Sequence, residues 1–282
     1  MEIKRLSQCT LEDVLQAWND GFEGYFVQIK LNAEAFLTRL VGEGLSPSQS
    51  IVAFDENKPV GIVLNGFRQV DGKKIAWNGG TGVATDYRGK GVSRAIMEET
   101  LEVYKQENVD IATLEVIKEN ERAIKLYEKY GYVITDHLLF ITGEYKPVSD
   151  SLGIKEDLVR PEQLAGFSFY KEDVPWQCSW KSAKQGEAKV FYNQADEPIG
   201  YAIYRRVWND EKKLDRIVFH QLELLDQEKV EYIPKFIASI TTEPVNITTI
   251  NFSASNPVSN YFIEQGLQVY TEQYQMKKIM NG

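Results

Sequence analysis

The sequence predicts an α+β fold arranged as two related domains, each a mixed sheet flanked by helices. Three observations carry this expectation. The chain has 282 residues, 43% hydrophobic and 12% aromatic, enough for one large core or two ordinary ones. Strand and helix patterns interleave without the strict βαβ alternation of a doubly wound fold. A diverged repeat of about 135 residues, the length of a whole domain, runs through the chain.

The repeat is read in two places. ENKPVGIVLNGFR (56–68) matches DEPIGYAIYRR (196–206): an acidic turn, a proline, then an apolar strand opening with Val-Gly or Ile-Gly. NERAIKLYEKYGYVITDHLLFI is echoed by NPVSNYFIEQGLQVYTEQYQMKKI, each with Asn, a helix-period apolar face, a glycine at the cap position and a following strand. Around GEYKPVSDSLGIKEDLVRPEQ (143–163) Pro, Gly, Ser and Asp gather and the apolar pattern loosens. The expected domains are therefore 1–146 and 147–282.

In the first domain, helical periodicity falls over 10–19 and 32–42, and strand patterns over 50–55, 59–68 and 74–84. A glycine-bearing loop then opens a helix over 91–107, followed by a strand over 111–117. A helix over 120–130, ended by Gly131, precedes a closing strand pair over 132–142.

Charge and composition exclude several function classes. The formal net charge is −9, with 17 basic and 22 acidic residues in 1–146 and 15 and 19 in the remainder. Neither half has the basic excess that nucleic-acid binding needs. No apolar run approaches the roughly 20 residues of a membrane span, and the N-terminal stretch lacks the apolar core of a secretion signal. Cys9 and Cys178 are far apart and read as unpaired thiols of a cytoplasmic protein. With His137 and His220 the only histidines, no metal site is expected.

The stretch TDYRGKGVSRAIMEE (85–99) places glycines around a lysine directly before a helix. Glycines are costly to order, and a helix start carries unpaired N–H donors at the positive end of its dipole, a place for an anion. A Walker loop fails because Lys90 is followed by Gly91 rather than Ser or Thr; a dinucleotide fingerprint fails because Arg94 stands at its third glycine. VATDYRGKGVSRAI instead resembles the acyl-coenzyme A loop of the GCN5-related N-acetyltransferases (GNAT), Q/R-x-x-G-x-G/A. Arg88, Gly89, Lys90, Gly91, Val92 and Ser93 fill its positions, Ser93 standing where the pattern has Gly or Ala. LEVIKENERAIKLYEKYGY (114–132) resembles the family's second coenzyme motif through Asn120, Ala123, Leu126, Tyr127, Gly131 and Tyr132. Periodicity alone would make Ala123, Ile124 and Tyr127 an ordinary buried helix face.

The resemblance implies tandem GNAT-like domains with mostly antiparallel sheets, and acetyl transfer from acetyl-coenzyme A to a small-molecule or peptide amine. It implies that Tyr127 donates a proton to the leaving sulfur, that the backbones of Val83 and Ala84 pair with the pantetheine arm, and that Asn120 contacts the same arm. An amine of pKa ~10 is about one part in a thousand neutral at pH 7, a handicap of roughly 4 kcal/mol that calls for proton removal. Glu115 on the preceding strand is one candidate base, and an ordered water chain is the alternative. Asp20, Glu23 and Tyr25 in WNDGFEGYF (18–26) are candidates for the acceptor side, where acidic and aromatic groups suit a cation. A non-catalytic acyl-coenzyme A sensor or interaction protein is the alternative.

The second domain is expected to keep the fold without the coenzyme site. At the loop position it has ELLDQEKVEYIPKF (223–236), with no glycine and with Asp226, Glu228 and Glu231. Opposite Tyr127 it offers Phe262 or Ile263, with Tyr261 one register away.

Overall fold

A computed structural model describes residues 1–27, 29–148 and 153–280. The chain divides into two compact units, Met1–Thr135 with Gln275–Gly282, and Asp136–Tyr274. This differs from the boundary expected after residue 146. The first crossing falls inside a long strand, and the chain's last residues return to the first unit. A strand that runs through a boundary carries no polar linker signature, so the loosened stretch 143–163 marks a loop instead. Its residues 149–152 lie outside those described.

The first unit runs β1 (Glu2–Arg5), α1 (Leu11–Gly21), α2 (Ala33–Glu43), β2 (Ile51–Asp55), β3 (Lys58–Val70), β4 (Lys73–Val83), α3 (Val92–Gln106), β5 (Ile111–Ile117) and α4 (Glu121–Lys129). A single strand, β6 (Val133–Tyr145), follows where a strand pair was expected; no glycine or proline interrupts 133–142. The second unit continues with β7 (Lys155–Val159), β8 (Glu187–Tyr192), β9 (Pro198–Trp208), β10 (Leu214–Leu224), α5 (Ile233–Ile240), β11 (Val245–Thr249), β12 (Phe252–Ser253) and α6 (Pro257–Glu264), and β13 (Gln268–Ile279) closes the chain.

In the first unit the strand order is β1-β2-β3-β4-β5, then the end of β13, where Met280 N–H donates to the Asp110 carbonyl at 2.9 Å. The pairs β1–β2, β2–β3 and β3–β4 are antiparallel and β4–β5 is parallel. The second unit repeats the plan in the order β6-β11-β10-β9-β8-β7, with β10–β11 its parallel pair. The mixed, mostly antiparallel sheets with flanking helices are the predicted fold class.

Local chemistry explains the element ends. Thr10 and Asp13 cap α1 reciprocally, and Asn32 accepts from Ala35 N–H at 2.8 Å to start α2. α1 buries Val14, Ala17 and Trp18, and α3 buries Ile96, Met97, Val103 and Tyr104, both at helical spacing. β1 escapes the sequence reading because EIKR is short, charged and at an edge.

One buried polar tie fixes α3 to the sheet. Tyr104 donates to Asn65 Oδ1 at 2.7 Å, and Asn65 Nδ2 donates to the Gln49 carbonyl at 2.8 Å. Tyr104→Phe leaves the Asn65 oxygen buried without that donor and should destabilise the first unit by about 1–3 kcal/mol. Urea unfolding of the variant measures this, and an unchanged midpoint would show that the tie contributes nothing.

Candidate active site

The site begins where two strands part. β4 and β5 pair only over Ile75–Asn78 and Ile111–Leu114, yet β4 continues to Val83 and β5 to Ile117. Gly79 is an extra residue in β4, since Leu64 pairs with Gly80 and Asn65 with Asn78. The bulge's carbonyl is taken by Arg39 Nη2 at 2.7 Å, with that guanidinium 4.6 Å from the Trp18 ring centroid.

The end of β4 and the helix that follows β5 border a cleft of about 680 Å³. Val83 lines it. Ala84 N–H donates back to the Val60 carbonyl at 2.9 Å, so alternation turns the Val83 backbone away from β3 and into the gap. Of the two residues expected to pair with the pantetheine arm, Val83 lines the cleft with its carbonyl accepting from Arg88 at 3.0 Å, and Ala84 is bonded to β3 and does not line the cleft.

At the start of α3, Gly91 is the N-cap with φ of +90° and Gly89 has φ of +80°. Both lie in the left-handed region that glycine enters without Cβ strain. The cap supplies no side chain to the first-turn amides, which point toward the cleft with the dipole's positive end. Gly89, Gly91 and Ser93 line the cleft. Val92 is buried in the core beside Ile51 and Ala53, and Lys90 places its ammonium 5.3 Å from the Tyr87 ring centroid, outside the lining.

Arg88 serves as a bolt. Its guanidinium donates to the carbonyls of Val83 (3.0 Å), Gly21 (3.2 Å) and Glu23 (2.8 Å), fastening the loop to the end of α1. That end lies hard against β4: a Cβ on Gly82 would sit 3.1 Å from Gly21 Cα and 3.0 Å from the Phe22 ring. Arg122, which the sequence reading missed, brings its Nη2 within 3.8 Å of where a Gly89 Cβ would stand. Its signal was its place two residues after Asn120, in the first turn of α4. Arg94, Lys125 and Lys129 also line the cleft, and no carboxylate does among the described residues.

Tyr127 on α4 is buried at the cleft floor, hydrogen-bonded to Thr81 of β4. Tyr25, from the α1–α2 connection, is hydrogen-bonded to Asn120, and burial raises its phenol. Asn120 caps α4 through Ala123 N–H at 3.2 Å, and Ala123 lines the cleft. The expected acidic groups stand elsewhere. Asp20 receives Gln16 Nε2 at 3.4 Å, Glu23 is exposed and contributes its carbonyl to Arg88, and Glu115 accepts from the Trp77 indole at 2.6 Å. None of the three lines the cleft.

In the second unit, α6 buries Phe262 and exposes Ile263, while the Tyr261 hydroxyl meets that of Tyr145 at 2.7 Å. Asn256 caps α6 and donates to Glu223 at 3.2 Å, and Glu223 pairs with Lys171 at 2.7 Å. Among the described residues no group of His, Cys, Asp and Glu is arranged to hold a metal, and no helix is long and apolar enough to cross a membrane.

Burial pushes the Tyr127 phenol up to about 12 from 10, opposed by the Thr81 hydrogen bond and reinforced by Tyr25. Below pH 10 the phenol is protonated folded and unfolded alike. Between pH 10 and pH 12 only the unfolded chain ionises, so this stabilisation is lost as pH rises. Over that window the wild type should lose about 2.7 kcal/mol more than Tyr127→Phe, read from urea unfolding. Equal slopes would show that the phenol is not held in its neutral form.

Comparison with known proteins follows the same lines. Residues 10–132 match the model of the acetyltransferase (GNAT) family. No curated protein matches the chain. Among solved structures, a GCN5-related N-acetyltransferase from Sphaerobacter thermophilus aligns with TM-score 0.65 and 11% identity, covering 100% of this chain and 96% of that one. A tandem GNAT protein from the clavulanic acid biosynthesis pathway aligns with TM-score 0.63 and 10% identity, covering 100% and 99%. A GCN5-related N-acetyltransferase from Anabaena variabilis gives TM-score 0.61 and 16% identity over 99% of this chain and 73% of that one. At these identities the likeness is one of fold, and residues 10–132 are similar to the acetyltransferase (GNAT) family.

Proposed function

We propose that the first unit binds acetyl-coenzyme A in the cleft and transfers its acetyl group to the nitrogen of a small-molecule or peptide amine. The observation that carries this reading is the convergence on one cleft of an uncapped helix start at Gly91, the Val83 backbone edge and the buried Tyr127 phenol. The pyrophosphate would lie on the first-turn amides of α3, with Arg122 beside it; a Cβ at Gly91 would meet nothing within 4 Å, so the approach is open. The pantetheine arm would pair with Val83. Arg88 contributes by holding the loop, since its guanidinium is spent on carbonyls.

Tyr127 is the donor for the departing sulfur. With its pKa at about 12, complete transfer to a thiolate of ordinary acidity runs uphill by about 5 kcal/mol. Its contribution is therefore a hydrogen bond that strengthens as the sulfur gains charge, with solvent completing the protonation. No carboxylate among the described residues lines the cleft, so the amine loses its proton to water. That same observation favours the second reading, a non-catalytic acyl-coenzyme A-binding protein. The Glu223–Lys171 pair and buried Phe262 support confining the coenzyme to the first unit.

Calorimetry with acetyl-coenzyme A should give one site per chain, and Gly91→Asp should abolish binding while leaving the unfolding free energy within about 2 kcal/mol of wild type. Two sites, or unchanged affinity in the variant, would sink the loop assignment. Thiol release across a panel of amines tests the chemistry. Tyr127→Phe should bind acetyl-coenzyme A normally and turn over about 10²–10³-fold more slowly. Binding without thiol release from any amine would favour the non-catalytic reading.

A further inference from the structure

The end of the cleft formed by the α1–α2 connection is aromatic: Gly24, Tyr25 and Phe26 line it. Phe26 is 56% exposed. A phenylalanine exposed on open surface needs no explanation; one that lines a cleft on a fixed support does. The support is a ladder of rings. Centroids lie 4.3 Å apart from Trp18 to Phe22, 5.3 Å from Phe22 to Tyr25 and 5.4 Å from Tyr25 to Phe26, the last two contacts edge-on. Among the described residues Tyr25 is the one ring beside Phe26, so the ladder ends in the cleft.

The base of the ladder is anchored. Trp18 is fully buried, its indole N–H donates to the Ile29 carbonyl at 2.9 Å, and the Arg39 guanidinium lies 4.6 Å from its ring centroid. Asn19 Oδ1 accepts from Leu31 N–H at 2.9 Å and its Nδ2 donates to the Leu31 carbonyl at 3.0 Å. The connection that carries Phe26 is therefore tied to α1 beyond the ring as well as before it. A ring presented this way is a preformed surface, and a ligand that packs on it pays little to order it.

Space and charge narrow what fits there. A Cβ on Gly24 would meet nothing within 4 Å, so the approach beside the ring is open. Among the described residues no carboxylate lines the cleft, and Asp20 and Glu23 stand outside it. A second ammonium entering with the reacting amine would leave water with no anion to pair it. The coenzyme's phosphates offer no substitute, being held by the loop amides and Arg122. We propose that the acceptor is a primary amine bearing an aromatic or similarly flat apolar group and no second positive charge, and that Phe26 is the specificity-determining residue against which that group packs. This rests on the coenzyme reading and narrows its acceptor, setting polyamines aside.

The test uses three amines and an unreactive coenzyme. Wild type, Phe26→Ala and Phe26→Trp are first titrated with the thioether S-ethyl-coenzyme A by calorimetry, and its affinity should be the same in all three. The saturated proteins are then titrated with 2-phenylethylamine, butylamine and spermidine at physiological salt. Wild type should bind phenylethylamine about 10-fold more tightly than either of the others. Phe26→Ala should lose that preference and Phe26→Trp should keep it. Butylamine or spermidine binding as tightly as phenylethylamine in wild type, no binding of any amine, or a preference that survives Phe26→Ala overturns the proposal and leaves the coenzyme reading standing. So does a loss of thioether affinity in Phe26→Ala, which would give the ring to the coenzyme. If wild type does not bind the thioether, the coenzyme reading falls and this proposal with it.

Discussion

A β-strand carries a row of N–H and C=O groups that must be satisfied, and a parallel pair normally zips closed along its length. In the first unit the β4–β5 pair stops at Asn78 and Leu114, and beyond that point the two strands run on without pairing to each other, while β4 stays paired to β3. Much of the surrounding structure can be understood as a response to that opening. The Gly79 bulge redirects β4, and Arg39 satisfies the displaced carbonyl. Gly21 and Gly82 let the end of α1 close over the strand with no side chain between them. The Val83 backbone turns away from β3 toward the cleft, and its carbonyl accepts from Arg88 at 3.0 Å.

The sequence was informative where function rests on backbone conformation and short spacing. Gly89 and Gly91 adopt left-handed backbone, Asn120 caps its helix, and Tyr127 faces inward, each from signals within about one helical turn. It was less informative where the partner is distant in the chain. Arg88 reads as a cation for phosphate, but its carbonyl partners Gly21 and Glu23 lie 67 and 65 residues away. The acidic residues Asp20, Glu23 and Glu115 matched the chemistry wanted, yet residue type does not tell which way a side chain points, and none lines the cleft. The unit boundary was missed because β6 and β13 pass through it as regular strands.

The second unit shows how the same topology can be put to different use. Its parallel pair, β10–β11, also stops short, at Phe219 and Thr249, while β10 runs on to Leu224. There Glu223 meets Lys171 and Asn256. An ion pair with a cap residue attached satisfies its own polar groups, so that position needs no outside ligand. In the first unit the corresponding helix cap, Asn120, holds a phenol instead. The fold is common to both units; the side chains at the parting strands set its use.

The distribution of charge around the cleft bears on how fast it fills. The chain as a whole carries −9, yet the cleft wall presents Arg88, Arg94, Arg122, Lys125 and Lys129, with no carboxylate in its lining among the described residues. Pairing with Glu98 and Glu121 mutes Arg94 and Lys125, leaving the field centred on the mouth beside Gly89. A polyanion diffusing over a largely repulsive surface is funnelled to one attractive point, which accelerates productive encounter more than it lengthens residence. Because the Debye length is only about 8 Å at physiological ionic strength, that guidance acts over the last few ångströms of approach and fades as salt is added. On the proposed coenzyme reading, capture of the anion would be governed by the ionic medium, and its retention by the backbone amides it finally meets.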